Sequence, residues 1–553
     1  MPDTTENKNH QHKINMKHLY SAILCISLFL CGCQPAQHAI QKPQQKVVIL
    51  FDNDVHCAID GYSKMAALRA ELLSQTPYVS VVSAGDFVQG SAVGSLSKGE
   101  YIIDLMNQVP YDVVTIGNHE FDYGTEQQQH LMKRLTASCV CCNYTSTATG
   151  KLIYAPSCIK TYGNIKVAYI GVATPTTVTT STPTFFQDET GKQIYSFHAD
   201  DVFDLIQREV NRVRRKGADY VIILSHLGDD TLLDNSVDMI GATTGIDAVF
   251  DGHQHHILNL KVANAEGDSV LLASTGTAFL RLGQCTIDTT GRLTIKLTDS
   301  QSYTSRNAAV DSIQATIDAQ LSNITNAVVG YTQVPLLDVV NGQREVRRSE
   351  TNLSDFLTDA FRAYTQADIC IMNGGSIRHG LPAGEITFGA LFSAIPFNNT
   401  MHKVRCTGQQ ILDALEIGIN LAPEENGNFM QVSGLRYTYR TDIPSSVQYD
   451  NNGLFISIGD SRRIVSVEVE KDGEWEDLEP NETYTVGGQS YVIVNQGASG
   501  ALRHIEELEC DHISDIDAAV LYVKTLGEIT AEQYGQPQGR IKHVVIDDED
   551  DED

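Results

Sequence analysis

The sequence predicts an α/β protein of two or three domains. Short runs of apolar, β-branched residues recur from Lys46 onward, and each run stops at a cluster of polar residues. Runs of this kind bounded by turn residues are typical of buried strands. The stretches between them, such as Gly61–Gln75 and Phe203–Lys216, carry apolar residues at helical spacing. The length of 553 residues exceeds that of a usual single domain.

Composition excludes several classes of protein. Hydrophobic residues make up 42% of the chain, which is enough to build packed cores and excludes an intrinsically disordered protein. The 69 acidic side chains outnumber the 40 basic ones, for a formal net charge of -29. Because such a surface repels phosphate backbones, we expect no nucleic-acid partner. The closing run Asp547–Asp553 is most simply a solvated acidic tail.

The first 45 residues predict an export signal and a membrane anchor. Residues 1–32 contain lysines followed by the apolar run Ile23–Leu30, which is the order of a secretory signal peptide. This run is far shorter than the ~20 residues that span a bilayer. The tetrad LCGC at positions 30–33 resembles a bacterial lipobox. We therefore expect a lipid on Cys33 and a polar tether over residues 33–45.

This interpretation predicts a protein anchored to a bacterial membrane, in the periplasm or at the cell surface. Acidic residues precede Met16, so Met16 is an alternative first residue of the signal. A hydrophobic core helix is the other interpretation of the apolar run. Of the 12 cysteines, nine lie beyond the lipobox, an odd number that cannot pair completely within one chain.

Five predicted strands of the first half end at residues able to bind a divalent cation. Each end offers Asp, Asn or His, whose oxygen or imidazole nitrogen suits such an ion. In α/β sheets, ligands gather at the carboxyl ends of strands. One strand-terminal Asp is usually a turn former, but seven candidates together suit two metals that share a carboxylate. The clusters are Asp52–His56, Ala84–Asp86, Gly117–Asp122, Ser225–His226 and Asp251–His255.

The order of these clusters resembles the calcineurin-like metallophosphoesterases, and more narrowly the bacterial UDP-sugar hydrolase and 5′-nucleotidase family. The pattern is D-x-H, G-D, G-N-H-E-x-D, S-H and G-H-x-H, and it covers the chain from Lys46 to about Ser300. The resemblance implies an N-terminal β-sandwich flanked by helices over residues 46–305 and a smaller α/β substrate-binding domain over residues 331–546. Apolar spacing predicts a helical linker over residues 306–330 that stops at Gly330.

The resemblance also implies a role for each candidate ligand. The sets are Asp54, His56 and His255 on one metal, Asn118, His226 and His253 on the other, and Asp86 bridging both. This mixture of donors tolerates Zn, Mn, Fe or Co. The family pattern is changed at Asp52 and Cys57 in the first cluster and at Asp251 in the last, and none of these changes removes a ligand.

His119 and Asp122 resemble the catalytic His–Asp dyad of the family. His119 would stabilise the transition state or protonate the leaving oxygen, and Asp122 would fix its tautomer. A capping network at a helix start is the alternative. The resemblance implies a hydroxide that bridges the two metals and attacks phosphorus in line.

Three segments of the second half resemble the nucleotide-binding domain of the same family. The run starting at Arg347 is similar to the one that supplies a phosphate-binding arginine. Asn373 opens an N-G-G-x-I-R motif whose last residue, Arg378, can grip a phosphate with two hydrogen bonds. Phe397 belongs to a P-F element whose ring stacks on a nucleobase.

A fourth segment departs from the family pattern. Ser499 stands where the family has an Asp that contacts ribose hydroxyls. Tyr491 is the second stacking ring if the loop length differs, and otherwise Ile493 takes that position. Because a hydroxyl cannot accept two ribose hydrogen bonds as a carboxylate does, we expect weaker nucleoside affinity or a different leaving group.

The sequence therefore predicts an exported two-metal phosphohydrolase that acts on 5′-nucleotides and on nucleotide-sugar pyrophosphates such as UDP-sugars. A 2′,3′-cyclic-nucleotide phosphodiesterase and a non-nucleotide phosphomonoesterase are the alternatives, because only the second domain selects the substrate. The alternative that is not an enzyme is a lipoprotein that binds nucleotides without hydrolysing them. The substrate would lie between the domains, and the linker would let them open and close.

Overall fold

The computed structural model describes residues 41–229, 234–451, 453–495, 497, 500–502 and 505–545. The predicted signal, Cys33 and the acidic tail lie outside this part of the chain. Across the described ranges, no helix is both long and apolar enough to cross a membrane.

The strands of the N-terminal part build a β-sandwich. In chain order they are β1 (Val47–Asp52), β2 (Val79–Ser83), β3 (Val113–Val114), β4 (Ser138–Cys139), β5 (Thr145–Ser146), β6 (Ser157–Tyr162), β7 (Ile165–Ala173), β8 (Tyr195–Ser196), β9 (Tyr220–His226), β10 (Ala248–Phe250), β11 (Ile257–Ala263), β12 (Ser269–Thr275), β13 (Arg281–Ile287) and β14 (Leu293–Asp299). One sheet has the order β14-β13-β1-β2-β3-β4 and the other β11-β12-β10-β9-β7-β6, while β5 and β8 form a separate pair.

The strands that carry the predicted ligands run parallel within each sheet. β1, β2 and β3 pair in parallel in the first sheet, and β9 and β10 pair in parallel in the second. Ile49 and Phe51 face the interior of the sandwich, where the ring of Phe51 stacks on that of Phe250 at 4.0 Å. Val48 and Leu50 face the helices instead. Burial on both faces explains the continuous apolar runs of the sequence.

Helices cover both outer faces of the sandwich. They are α1 (Asp60–Leu73), α2 (Ala92–Ser97), α3 (Glu100–Gln108), α4 (Thr125–Arg134), α5 (Thr177–Thr180), α6 (Val202–Arg215), α7 (Ser236–Ala242) and α8 (Ala308–Thr325). Helices α1, α3 and α4 pack on the sheet that contains β1, and α6 and α7 pack on the sheet that contains β9. The predicted mixed α/β fold is confirmed.

Helix α8 lies within the predicted linker but is not a free spacer. Its buried Val310, Ile317 and Leu321 pack on the core of the N-terminal domain. The prediction that Gly330 ends the helix is wrong, because α8 already ends at Thr325. Gly330 lies in the next strand, where a Cβ atom would come within 1.9 Å of the side chain of Val523. The glycine is therefore explained by close packing.

The C-terminal part is a mixed α/β domain with two larger sheets and two separate pairs of strands. Its strands are β15 (Val328–Thr332), β16 (Ile369–Asn373), β17 (Gly384–Thr387), β18 (Met401–Thr407), β19 (Met430–Ser433), β20 (Leu435–Arg440), β21 (Val447–Tyr449), β22 (Phe455–Ile458), β23 (Ile464–Lys471), β24 (Glu474–Asp477), β25 (Thr483–Gln489), β26 (Glu506–Leu508) and β27 (Ile541–Val544). The main sheet has the order β19-β16-β25-β18-β26, and the second has the order β24-β23-β20-β27.

Helices pack on both faces of the main C-terminal sheet. They are α9 (Asn352–Thr365), α10 (Phe388–Ala394), α11 (Gly408–Gly418), α12 (Ser490–Ile493), α13 (Asp515–Leu526) and α14 (Ala531–Tyr534). Helices α9, α10 and α13 share one core, and α11 contributes to the core on the other side. The nine cysteines from Cys57 to Cys510 are all free thiols.

Candidate active site

The carboxyl ends of five strands bring the predicted metal ligands together. The ligands are Asp54 and His56 after β1, Asp86 after β2, Asn118 after β3, His226 at the end of β9, and His253 and His255 after β10. Both sheets therefore contribute to one group of side chains, as parallel strands ending at a common edge allow.

The first predicted set forms a close group. The Nε2 atoms of His56 and His255 are 3.1 Å apart. Oδ1 of Asp54 lies 3.5 Å from Nε2 of His255 and 3.9 Å from Nε2 of His56. Nδ1 of His56 is oriented by the backbone carbonyl of Gln89 at 3.0 Å, which leaves Nε2 to face the group.

The second predicted set adjoins the first. Nε2 of His226 lies 3.0 Å from Oδ2 of Asp86, and Nδ1 of His253 lies 3.0 Å from Oδ1 of Asn118. Oδ2 of Asp86 is also 3.9 Å from Nε2 of His56, so Asp86 lies between the two sets. Oδ1 of Asp54 is likewise within 3.8 Å of His226.

The loops that carry these ligands have an unusual backbone. Five of the seven ligand residues have positive φ angles: Asp54, His56, Asp86, His253 and His255. Such conformations cost free energy in non-glycine residues and persist where the surroundings fix them, commonly at functional sites. Gly117 provides space beside them, because a Cβ atom there would lie 2.2 Å from Oδ1 of Asp86.

The donor atoms fit a divalent cation. Nε2 of His226 is buried and has no hydrogen-bond partner among the described residues, although it points at the two carboxylates. Nδ1 of the same ring is held by the backbone carbonyl of Ala84 at 2.7 Å. An imidazole fixed through one nitrogen, with the other turned toward carboxylates, is the usual arrangement of a metal ligand.

The electrostatics of the group favour positive charge at its centre. Burial raises the pKa of Asp54 to about 7. Burial also disfavours the Asp86 carboxylate, but nearby imidazoles, above all that of His226, hold its pKa well below the usual range. Burial alone would lower the pKa of His226, whereas Asp86 and Asp54 raise it to about 10. The two carboxylates thus attract a cation to the point where they meet.

The predicted dyad is formed, with a partner from the C-terminal domain. Nδ1 of His119 lies 2.6 Å from Oδ2 of Asp122, and the backbone N–H of His119 donates to Asp86 at 2.8 Å. Arg378 approaches Nε2 of His119 at 2.9 Å. Because a guanidinium can only donate, Nε2 accepts and Nδ1 carries the proton given to Asp122. This tautomer agrees with the predicted role of Asp122.

Glu120 is a site residue that the sequence interpretation missed. Its buried carboxylate accepts the backbone N–H groups of Asp86, Phe87 and Gly117 at 2.6 to 2.8 Å. It therefore ties the loop after β2 to the loop after β3. The residue lies within the G-N-H-E-x-D pattern, but its contacts join segments that are distant in sequence.

Two of the residues that depart from the family pattern, Asp52 and Asp251, form hydrogen bonds next to the ligand loops. Oδ2 of Asp52 accepts the hydroxyl of Tyr111, and Oδ1 of Asp251 accepts the N–H of Gly228. Burial raises the pKa of Asp52 to about 7 and that of Asp251 to about 6.

Two of the predicted substrate-binding residues reach the metal-ligand group. Arg378 contacts His119 and lies 5.2 Å from the centre of the Phe397 ring. That ring is 5.8 Å from the ring of His119. The preceding carbonyl, that of Pro396, accepts the hydroxyl of Ser95 at 2.5 Å and so fixes this loop to α2.

Three arginines lie close together beside the ligand group. Arg347 is half-buried, and its Nε atom, which is buried, has no hydrogen-bond partner in the described part of the chain. Burial and the charges of Arg344 and Arg378 hold the pKa of Arg347 well below its usual value. Sequence interpretation missed Arg344, which also pairs with Glu425 at 2.7 Å. Mutual repulsion among three cations favours an anion between them.

The side chains of the other predicted substrate-binding residues make contacts within the protein. The side chain of Asn373 accepts the hydroxyl of Ser376 in its own turn and donates to the carbonyl of Gly427 in a distant segment of the same domain. Tyr491 is partly exposed, and its hydroxyl donates to the carbonyl of Thr179 at 2.9 Å. Ile493, the alternative to Tyr491, is fully buried in the core. Ser499 lies outside the described residues.

Comparisons with known proteins agree with this geometry. The family described as calcineurin-like phosphoesterase matches residues 47–256, and the family described as 5′-nucleotidase, C-terminal domain, matches residues 328–503. A trifunctional nucleotide phosphoesterase of Bacillus subtilis is 25% identical over 90% of this chain and 35% of its own length. A 5′-nucleotidase of Vibrio cholerae is 23% identical over 78% of this chain and 86% of its own length.

A solved structure shows the same fold over nearly the whole chain. The 5′-nucleotidase precursor of Thermus thermophilus matches with a TM-score of 0.76 and 24% identity, covering 90% of this chain and 99% of that one. The chain spans only about a third of the length of the Bacillus relative.

Fold and donor set together define a metal-dependent phosphoesterase. More narrowly, the chain belongs to the 5′-nucleotidase family, with a calcineurin-like phosphoesterase domain followed by a 5′-nucleotidase C-terminal domain.

Proposed function

We propose that the protein is an exported phosphohydrolase that releases phosphate from 5′-nucleotides and cleaves nucleotide-sugar pyrophosphates. One observation carries the proposal: Arg378 of the C-terminal domain meets His119 of the N-terminal domain beside the seven metal ligands. A phosphoryl group held at this point would face metal ligands, a histidine and an arginine at once.

The residues of the N-terminal domain supply the reaction chemistry. Divalent cations, when bound by these ligands, lower the pKa of water and withdraw charge from a phosphoryl oxygen. His119 lies beside these ligands. When Arg378 binds the phosphoryl group instead of Nε2 of His119, that nitrogen becomes available to the substrate. Asp122 and Asp86 outweigh burial and raise the pKa of His119, which favours a proton on the ring for the leaving oxygen.

The residues of the C-terminal domain supply the affinity for phosphate and base. Three positively charged side chains lie together here: Arg344, Arg347 and Arg378. A bound phosphate would reduce the repulsion among them and accept their hydrogen bonds. The ring of Phe397 lies beside Arg378, where it could stack on a base. The names of the Bacillus and Vibrio relatives, which specify nucleotide phosphoesters and 5′-nucleotides, support a nucleotide substrate.

Export and anchoring are proposed from the sequence alone. The signal over residues 1–32, the lipid on Cys33 and the tether over residues 33–45 would hold the enzyme on a bacterial membrane, facing the periplasm or the cell surface. Metabolic labelling with a radioactive or clickable fatty acid tests this part. The full chain takes up label, whereas Cys33→Ala takes up none; label retained by Cys33→Ala contradicts the anchor.

A substrate panel tests the reaction. Purified protein is stripped of metal, loaded with Mn, Co, Zn or Fe, and assayed for phosphate release from AMP and p-nitrophenyl phosphate. UDP-glucose and 2′,3′-cyclic AMP are assayed by product chromatography. We expect AMP to give the highest kcat/KM. Preference for 2′,3′-cyclic AMP supports a cyclic-nucleotide phosphodiesterase, and equal activity on AMP and p-nitrophenyl phosphate supports a non-nucleotide phosphomonoesterase. Binding of AMP without turnover under all four metals supports a binding protein.

A further inference from the structure

A second group of metal-binding side chains lies at the edge of the main C-terminal sheet. It consists of His402 in β18, Glu507 in β26 and His512 in the segment that follows β26. One ligand atom from each side chain lies within 4.8 Å of the other two. We propose that these three residues bind a divalent transition-metal ion at a third site, which shares no residue with the candidate active site.

The contacts within the group centre on one carboxylate oxygen. Oε1 of Glu507 lies 2.5 Å from Nδ1 of His402 and 3.3 Å from Nε2 of His512. The two imidazole rings are only 4.2 Å apart. A nitrogen of each ring therefore lies near the same carboxylate oxygen, so that one cation beside this oxygen is within reach of all three side chains.

Thr400 orients the ring of His402 for metal binding. Nε2 of His402 lies 2.8 Å from the hydroxyl oxygen of Thr400. With the proton on Nε2 donated to that hydroxyl, Nδ1 presents a lone pair to the carboxylate of Glu507. In this tautomer Nδ1 and Oε1 of Glu507 are both acceptors and a bound cation satisfies them, whereas in the other tautomer Nδ1 donates its proton to Oε1. A hydroxyl that fixes the tautomer of a histidine is a common partner of a metal ligand.

Backbone pairing positions the main chain of the three residues before any ion binds. Lys403–Arg405 of β18 pairs with Glu506–Leu508 of β26 on one side of the group. On the other side, the N–H of Met401 donates to the carbonyl of Ile513 at 2.9 Å. The segment between these pairings is thus attached to β18 at both ends, which lowers the entropy that ion binding would otherwise cost.

The chemistry of the group suits zinc, cobalt or nickel. Two imidazoles and one carboxylate are a known catalytic-type ligand set for zinc and leave a position for water. The side chains of Glu507 and His512 are 46% and 47% exposed, so an ion can enter and both groups can adjust their distance. The His402 side chain is only 10% exposed and provides the fixed ligand.

Zinc titration of the metal-free full-length protein tests the proposal. A chromophoric chelator competes for Zn²⁺, and the number of equivalents and their affinity are read from its absorbance. We expect His512→Ala and Glu507→Gln each to lose one equivalent or to weaken it at least about tenfold, as loss of a ligand contact does. The fold is checked by circular dichroism, which exposed His512 should leave unchanged.

Two controls separate this site from the active site. His130→Ala removes another exposed histidine paired with a glutamate, Glu100, and should bind as many equivalents as the unmodified protein. His255→Ala changes the candidate active site and should keep the equivalent that His512→Ala loses. Unchanged stoichiometry and affinity in both His512→Ala and Glu507→Gln would overturn the proposal, whatever the protein hydrolyses.

Discussion

The metal-binding end of the N-terminal domain and the substrate-binding side of the C-terminal domain are built differently. Asp54 and Asp86 are almost completely buried, and backbone groups and Glu120 fix their loops. Arg378 and Phe397 are only half-buried, and the carbonyl of the neighbouring Pro396 accepts the hydroxyl of Ser95. The comparison therefore separates a fully buried reaction centre from a partly exposed recognition surface. Changes in the first should abolish turnover, and changes in the second should alter substrate preference.

The largest effect is expected for Asp86→Asn. Its carboxylate lies between both ligand sets, so its loss should lower kcat by at least about 10³-fold, since metal charge stabilisation is worth several kcal/mol. Phosphate release from AMP and metal content by mass spectrometry measure the result. The matched control Asp104→Asn changes an exposed carboxylate paired with Arg134 and should have full activity. Full activity in Asp86→Asn would contradict the shared-carboxylate arrangement.

His119→Ala should separate chemistry from metal binding. We expect kcat to fall by about 10²- to 10⁴-fold, the usual contribution of a general acid, while metal content stays unchanged. His130→Ala is the control for loss of a histidine elsewhere on the domain. Equal turnover in the two variants would remove His119 from the mechanism.

Arg378→Ala tests the recognition surface where it meets the reaction centre. Loss of charged hydrogen bonds worth about 1.5–3 kcal/mol should lower kcat/KM for AMP by roughly 10- to 100-fold. Arg378→Lys should restore only part of this, because a lysine cannot bind a phosphate with a planar fork. Complete rescue by lysine would mean that charge alone matters there.

Phe397→Ala should change preference rather than chemistry. Stacking on a base is worth about 1–3 kcal/mol, so KM for AMP should rise by about tenfold or more. The kinetics with p-nitrophenyl phosphate, which has no nucleobase, should stay within a few-fold of the unmodified protein. Parallel losses on both substrates would show that the ring supports the reaction centre instead.

The smallest effect is expected for Tyr491→Phe. The hydroxyl of Tyr491 joins the two domains through the carbonyl of Thr179, and one such bond contributes about 1 kcal/mol. KM for AMP should rise no more than about fivefold, with kcat unchanged. A larger loss in kcat would place this contact within the reaction itself.

The sequence predicted the parts of the site that depend on local order. Asp54, Asp86 and His226 lie at the ends of apolar strands whose composition predicts that they are buried. Parallel pairing of these strands with their neighbours brings the three side chains together. Glu120 and Arg344 were missed, since their roles depend on contacts between distant segments. The positive φ angles of the ligand loops have no simple sequence signal, because non-glycine residues adopt them only under tertiary constraint.

Gly330 shows the limit of a local rule. A glycine after an amphipathic run is a common helix stop, but here it serves packing against Val523. The helix had already ended at Thr325. Only the position of α13 in the folded domain distinguishes these two uses of a glycine.

The most direct test of the shared-carboxylate centre is anomalous diffraction from crystals grown with Mn²⁺. We expect two peaks about 3.5–4 Å apart, one on each side of Asp86, among the imidazoles of His56, His226, His253 and His255. A single peak, or peaks only away from Asp86, would contradict the account.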